Sequence, residues 1–458
     1  MSEVNLSELE FSKRVDAEYY QKHFLKYEKL IQSKGNFKLN DVANFLIGPF
    51  GSSFIVDNYT NDETYRYIRG KDVKPLKLME DDNVYMPKDD YDRLSRYALK
   101  KDDVLVSVVG TLGNAAIVSE RNLPAIFSCK STVVRSSINP KYLLAYLNSK
   151  YGRMLLLRKE RGAIQKGLNL DDLKLLDLFI PSDNFQNLIS NLFNLSDTKL
   201  LQSQHTYAQA EQMLLEAVGL QNFVPSQEAV NVKTFKESFL QSGRLDAEYY
   251  QPKYEEIIAK IKQSDYLQIS QLVTIKKSIE PGSSSYQEEG IPFIRVSNLS
   301  KYGISNPEIH LDKNEFSEVI KPKKDTILLS KDGSVGIAYK VSEDLQSITS
   351  SAILHLTVDN PKVNADYLTL VLNSKLVQLQ AERDAGGSII QHWKPSEIAE
   401  VIIPILDPKT QTQIATWVQE SFSLKQQSEQ LLYIAKRAVE IAIEENEEVA
   451  MAYITPNN

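Results

Sequence analysis

Arg14-Val15-Asp16-Ala17-Glu18-Tyr19-Tyr20-Gln21 returns later in the chain as Arg244-Leu245-Asp246-Ala247-Glu248-Tyr249-Tyr250-Gln251. The two copies differ only by Val15 against Leu245, and they stand 230 residues apart (244 − 14) in a chain of 458. That offset is close to half the length and implies a tandem duplication. The residues that follow agree with it. Tyr20, Phe24, Tyr27 and Ile31 fall on one helical face, as do Tyr250, Tyr254, Ile257 and Ile261. Pro252 suits the first turn of a helix, so Asp246 to Tyr250 form a separate entry turn. An aspartate cap, an arginine–carboxylate contact and two packed tyrosines would account for these letters structurally. Their recurrence says that the protein has two equivalent halves.

Further landmarks keep the same order in each half. Gly48-Pro49-Phe50-Gly51-Ser52-Ser53 corresponds to Glu280-Pro281-Gly282-Ser283-Ser284-Ser285, each a loop by composition. Short strands ending in Ile-Arg follow, Tyr65–Arg69 and Ile291–Arg295. The runs Asp102–Ser107 and Asp325–Ser330 then lead to Gly110 and Gly113, and to Gly333 and Gly336. Tyr142-Leu143 with Leu147-Asn148-Ser149-Lys150 matches Tyr367-Leu368 with Leu372-Asn373-Ser374-Lys375. A Gly segment and Ile-Pro close each half, Arg161-Gly162 to Ile180-Pro181 and Gly386-Gly387 to Ile403-Pro404. Each half reads as a mixed α/β unit long enough to fold alone.

After each Ile-Pro the pattern turns to long helix. Phe193, Leu200, Tyr207 and Leu214 recur every seven residues beside small Ser196, Ser203, Ala210 and Ala217. Trp417, Leu424, Leu431 and Ala438 do the same beside Ser421, Ser428, Ala435 and Ala442. A large stripe next to a small one lets two helices approach closely, and the duplication predicts that these two pair antiparallel. The expected division is a first globular domain at 1–181, a spacer helix at 182–218 and a linker at 219–234. A second domain at 235–404, a distal helix at 405–447 and a tail at 448–458 complete it.

Composition narrows the function. The hydrophobic share of 42% fits a globular protein with real cores. The single cysteine, Cys129, rules out an internal disulfide and fits a reducing, cytoplasmic compartment; no signal-peptide core and no membrane-spanning run is visible. The net charge of −7 lowers the expectation of nucleic-acid binding, although a basic surface can coexist with acidic helices. No GxxxxGK[ST] loop, HExxH motif or GxSxG elbow occurs, and the five histidines are scattered. Gly110-Thr111-Leu112-Gly113 reads as a β-turn rather than a nucleotide site.

The ordered, duplicated landmarks resemble the specificity (S) subunit of Type I restriction–modification systems, from Arg14 to about Glu445. That resemblance implies two target-recognition domains, each reading one half of a split double-stranded DNA target. Two long antiparallel helices would hold them apart in a pseudo-two-fold arrangement. It implies a non-catalytic chain without a cofactor or metal of its own. Two methyltransferase (M) subunits would modify adenine using S-adenosylmethionine, and motor-nuclease (R) subunits would cleave unmodified DNA as a defence against phage. DNA contacts are then expected from loops after the shared strands. They are Arg69 and Lys71 beside Arg295, Ser297 and Asn298, and Thr111 beside Lys331, Asp332 and Ser334. The Gly segments add Arg161, Gln165 and Lys166 against Gln391, His392 and Lys394. Arg69 and Arg295 could equally be buried partners of a domain carboxylate. A duplicated protein-binding scaffold on a coiled coil is the competing reading, and an enzyme the third.

Overall fold

The computed structural model describes residues 14–80, 82–162, 166–228, 230–386 and 390–455. It divides into two units: residues up to Lys199 together with those from Gln426 onward, and Leu200–Lys425.

The repeated stretch folds the same way twice. In the first unit Arg14 donates to Asp16 at 2.7 and 2.5 Å, and Tyr20 Oη donates to the Arg14 carbonyl at 3.1 Å. In the second, Arg244 donates to Asp246 at 2.8 and 2.5 Å, and Tyr250 Oη to the Arg244 carbonyl at 3.0 Å. Each arginine also lies over a tyrosine face, Tyr19 at 4.7 Å and Tyr249 at 4.5 Å. Ala247–Tyr250 is a separate 3-10 turn, and Pro252 opens the helix Pro252–Ile261. The shared letters therefore describe a clamp that ties the entry turn together.

The first unit is built on a five-stranded sheet. Its order is Ala43–Ile47, Ser131–Ser136, Val104–Ser107, Ala115–Ile117 and Leu76–Lys77. The second uses Val273–Lys277, Ile353–Val358, Ile327–Ser330 and Ala338–Lys340 in the equivalent order. A small parallel pair lies outside each sheet, Arg66–Ile68 with Ala125–Phe127 and Ile291–Ile294 with Ile348–Thr349. Asp102 and Asp325 start the central strands with φ of 68° and 65°, a left-handed turn that Asp tolerates better than most residues.

Two helices cover each sheet, Pro140–Asn148 with Lys150–Arg158 and Ala365–Asn373 with Lys375–Asp384. Their asparagine and tyrosine landmarks are bonded internally. Asn139 and Asn364 cap the first helix of each pair. Asn148 donates to the Ala115 carbonyl at 3.0 Å and Asn373 to that of Ala338 at 2.7 Å, fixing helix to sheet. The fully buried Tyr142 and Tyr367 reach the carbonyls of Phe179 and Pro404, at 2.5 and 2.7 Å. A buried phenol needs such a partner, which is why these letters recur while their surroundings vary.

The spacer helices span Asp183–Ala217 and Pro408–Glu444, 35 and 37 residues. At 1.5 Å per residue each is about 50–55 Å long. In the first unit Ser182 contacts Glu447 and Ser196 contacts Ser428, so numbers rise on one helix as they fall on the other: the pair is antiparallel. Ser196 Oγ donates to the Ser428 carbonyl at 2.9 Å, and in the second unit Ser421 Oγ donates to that of Ser203 at 2.8 Å. The small stripe is thus hydrogen-bonded as well as close. Phe193, Tyr207, Leu214, Leu431 and Ala438 are buried, whereas Leu200, Trp417 and Leu424 are half-buried and Ala217 is exposed.

The expected tail is different. Glu447–Ile454 is a helix, capped by the Asn446 side chain, with Ala450 and Ile454 buried in the core of the first unit. The acidic run Glu444–Glu448 conceals it, because these carboxylates work locally: Glu444 accepts from Arg437 at 2.9 Å and Glu447 from Ser182 at 2.5 Å. Residues 219–234 carry no helix or strand among the described positions.

Candidate nucleic-acid interface

The Ile-Arg strands end in 3-10 turns, Gly70–Asp72 and Val296–Asn298. In both, the side chain three residues on closes the turn. Asp72 accepts from the Arg69 backbone N–H at 2.8 Å, and Asn298 from that of Arg295 at 3.0 Å. The exchange of Asp for Asn decides the arginine. The Arg69 guanidinium is held by the buried Asp72 carboxylate at 3.0 and 2.9 Å and also reaches the Asp82 carbonyl. Arg295 has no carboxylate there; its side chain is exposed and makes no ion pair among the described residues. Arg69 is therefore the carboxylate partner, and Arg295 is available. Lys71, two residues after Arg69, donates to Asp82 at 2.8 Å. Ser297 is exposed and Asn298 half-buried.

The glycine turns come next. Gly110 and Gly113 have φ of +90° and +73°, Gly333 and Gly336 +76° and +85°, so both turns need left-handed backbone. Thr111 and Ser334 are exposed at their tips. Each turn is laced to the Gly segment of its own half. Leu168 N donates to the Val108 carbonyl at 2.9 Å, and Val109 bridges Gly167. In the second unit Trp393 N donates to the Lys331 carbonyl at 2.8 Å, Gly333 N to that of Gln391 at 2.9 Å, and Asp332 bridges His392. The structure thus brings Thr111 near Lys166, and Lys331, Asp332 and Ser334 near Gln391 and His392.

On this shared backbone the side chains differ. His392 Nδ1 lies 2.9 Å from Asp332 Oδ1, and Lys331 Nζ pairs with the same carboxylate. Burial pushes the Asp332 carboxyl up, but the bonds from Lys331 and His392 outweigh it and hold it below the usual carboxylate value. Arg161 grips Asp172 at 2.6 and 2.9 Å, Lys166 pairs with Glu160, and Lys394 donates to Glu397 at 3.1 Å. Gln391 is exposed, and Gln165 lies outside the described residues.

Sequence reasoning passed over Lys130. Its carbonyl accepts the N–H groups of Val108 at 2.9 Å and Val109 at 3.3 Å. Its side chain abuts Gly70 so closely that a Cβ there would stand 2.7 Å away. Lys130 therefore joins the Ile-Arg turn to the glycine turn, and it is exposed with no ion pair among the described residues. The second unit has Ala352 at this place, accepting Lys331 N at 2.8 Å. Only that divergence marks the position in the sequence.

The Type I restriction modification DNA specificity domain matches the sequence twice, over residues 32–211 and 261–432. The chain belongs to that family. Both matches enclose the glycine turns and Gly segments above. The fold is similar to that of the Type I restriction–modification S subunit from M. genitalium, at 14% identity and a TM-score of 0.38, covering 92% of this chain and 95% of that one. It is also similar to the HsdS subunit from Thermoanaerobacter tengcongensis, at 14% identity and a TM-score of 0.29 over 92% and 95%. No curated protein matches the sequence.

Chemically, the loops offer hydrogen-bond donors and acceptors. Among the described residues no serine hydroxyl bonds to His392, and no group of three or more His, Cys, Asp or Glu side chains could hold a metal. No helix among them is long and apolar enough to cross a membrane.

Proposed function

We propose that this chain is the specificity subunit of a Type I restriction–modification complex, with each unit reading one half of a bipartite double-stranded DNA target. One observation carries the reading. The two loop clusters share backbone hydrogen bonds, Leu168 to Val108 with Trp393 to Lys331 and Val108 to Lys130 with Lys331 to Ala352, while the residues on that frame change: Val109 and Gly167 against Asp332 and His392, exposed Lys130 against Ala352, and a carboxylate-bound Arg69 against an exposed Arg295. A constant scaffold with variable exposed donors is what two different base sequences require, since base edges are read by side-chain chemistry and phosphates by charge.

Catalysis then lies in partners. Two methyltransferase subunits, holding S-adenosylmethionine, bind the two equivalent units, and motor-nuclease subunits join them, all in the cytoplasm. The spacer pair sets the gap between half-sites. With a net charge of −7 the isolated chain binds DNA weakly, and partners add positive surface. The test is a bandshift with and without the co-expressed methyltransferase, together with a mass measurement of the assembly. Sequence-selective binding at moderate salt by a complex with two methyltransferases supports the proposal. Absence of selective binding under every condition favours a protein-binding scaffold.

A further inference from the structure

The Asp332–His392 pair is poorly explained as a structural contact. The His392 side chain is 62% exposed, so the ring adds little to any core, and a hydrogen bond made at so exposed a position contributes little to stability. The ring is nonetheless fixed from three directions. The His392 backbone exchanges two hydrogen bonds with Gly386, at 2.7 and 3.1 Å. The next residue, Trp393, is fully buried and tied to Lys331. Asp332, held on its other oxygen by Lys331, faces Nδ1. The first unit keeps the same ladder between Val109 and Gly167 but has no side chains to make such a pair. The pair is specific to one half.

An ionised carboxylate only accepts hydrogen bonds, so the proton of the neutral ring must sit on Nδ1. The outward Nε2 is then an acceptor. In the major groove the donors available to it are the exocyclic amines, N6 of adenine and N4 of cytosine. We propose that His392 Nε2 accepts a hydrogen bond from one exocyclic amine in the half-site read by the second unit, with Asp332 as the positioning residue that fixes the ring. This rests on the DNA-reading function above and names the chemistry one of its loops selects.

The experiment uses the complex with co-expressed methyltransferase and a duplex selected by it from a random library. Each adenine is replaced in turn by purine, and each cytosine by 2-pyrimidinone, so that one amine is removed at a time. The wild-type complex should lose about five- to tenfold affinity at the contacted base. H392A should be insensitive at that base, fully sensitive at all others, and unchanged in unfolding temperature. Which analogue produces the effect tells adenine from cytosine. Histidine-ring 15N shifts of the full chain should show the Nδ1–H tautomer in the wild type and a mixture in D332A, which should also lose discrimination at the same base only. H392A that keeps the wild-type sensitivity at every base overturns the proposal, and an unchanged tautomer in D332A overturns the positioning role. A wild-type complex that selects no sequence removes the underlying function as well.

Discussion

Arg69 and Arg295 occupy the same place in the two units, and their replacement by alanine should have opposite consequences. Arg69 is 17% exposed, and its guanidinium gives two charge-assisted hydrogen bonds to Asp72, which is 1% exposed. R69A leaves that buried carboxylate with the backbone N–H of residue 69 alone, a loss of about 3 kcal/mol. At about 2–4 °C per kcal/mol for a unit of this size, the first unit should unfold roughly 6–12 °C lower. R295A removes no ion pair and should cost less than about 0.5 kcal/mol. Its effect belongs in recognition. If the guanidinium reads a guanine, selection from a random duplex library should relax at one base pair of the second half-site, by about 1–3 kcal/mol. Calorimetry and library selection on the same preparations measure both quantities. Equal thermal shifts in the two variants, or altered base selection by R69A without a thermal shift, would refute the reasoning.

Burial, with Lys276 nearby, pushes the His355 pKa down to about 4 from 6.5. The unfolded chain therefore binds the proton first, and the second unit should lose about 2 kcal/mol as pH falls from 7.5 to 5, a slope that H355Q flattens in urea titrations. Inserting one heptad between Ser196 and Ser203, with a matching heptad between Ser421 and Ser428, preserves both serine contacts and adds about 10 Å of helix. Methylation sequencing should then show a spacer longer by about two or three base pairs with both half-sites intact, and an unchanged gap sinks the ruler idea. Exchange of residues 235–404 for those of another such subunit should alter one half of the methylated sequence; a change in both halves means that the units read jointly.

Much of the fold was legible because its markers have obligatory partners. Tyr142 and Tyr367, and Asn148 and Asn373, recur because a polar group withdrawn from water must find the same carbonyl again, and the two half-buried Arg–Asp clamps recur because each closes the same entry turn. The glycine turns were legible for the same reason, since their backbone angles exclude other residues. The interface was less so. A sequence shows Arg69 and Arg295 as equals, and only turn closure by Asp72 reveals that one is occupied. Lys130 has neither periodicity nor a repeat to mark it, and matters through two backbone contacts made far along the chain. The last helix lies where a tail at 448–458 was expected, next to an acidic flank, yet Ala450 and Ile454 are buried.

That last helix and the end of the distal spacer belong to the unit formed by the start of the chain, which gives the protein a timetable. On a ribosome the second unit is contiguous and can close as soon as Lys425 has emerged. The first unit must wait. Phe185, Ile189 and Leu192 leave the exit tunnel more than two hundred residues before Leu431, Ile434 and Ala450, against which they share a core. At about 5–20 residues per second the side of that stripe that meets Leu431, Ile434 and Ala450 lacks those partners for roughly 10–50 s. A messenger broken near its end would therefore yield a chain whose second unit is whole and whose first is exposed to proteolysis.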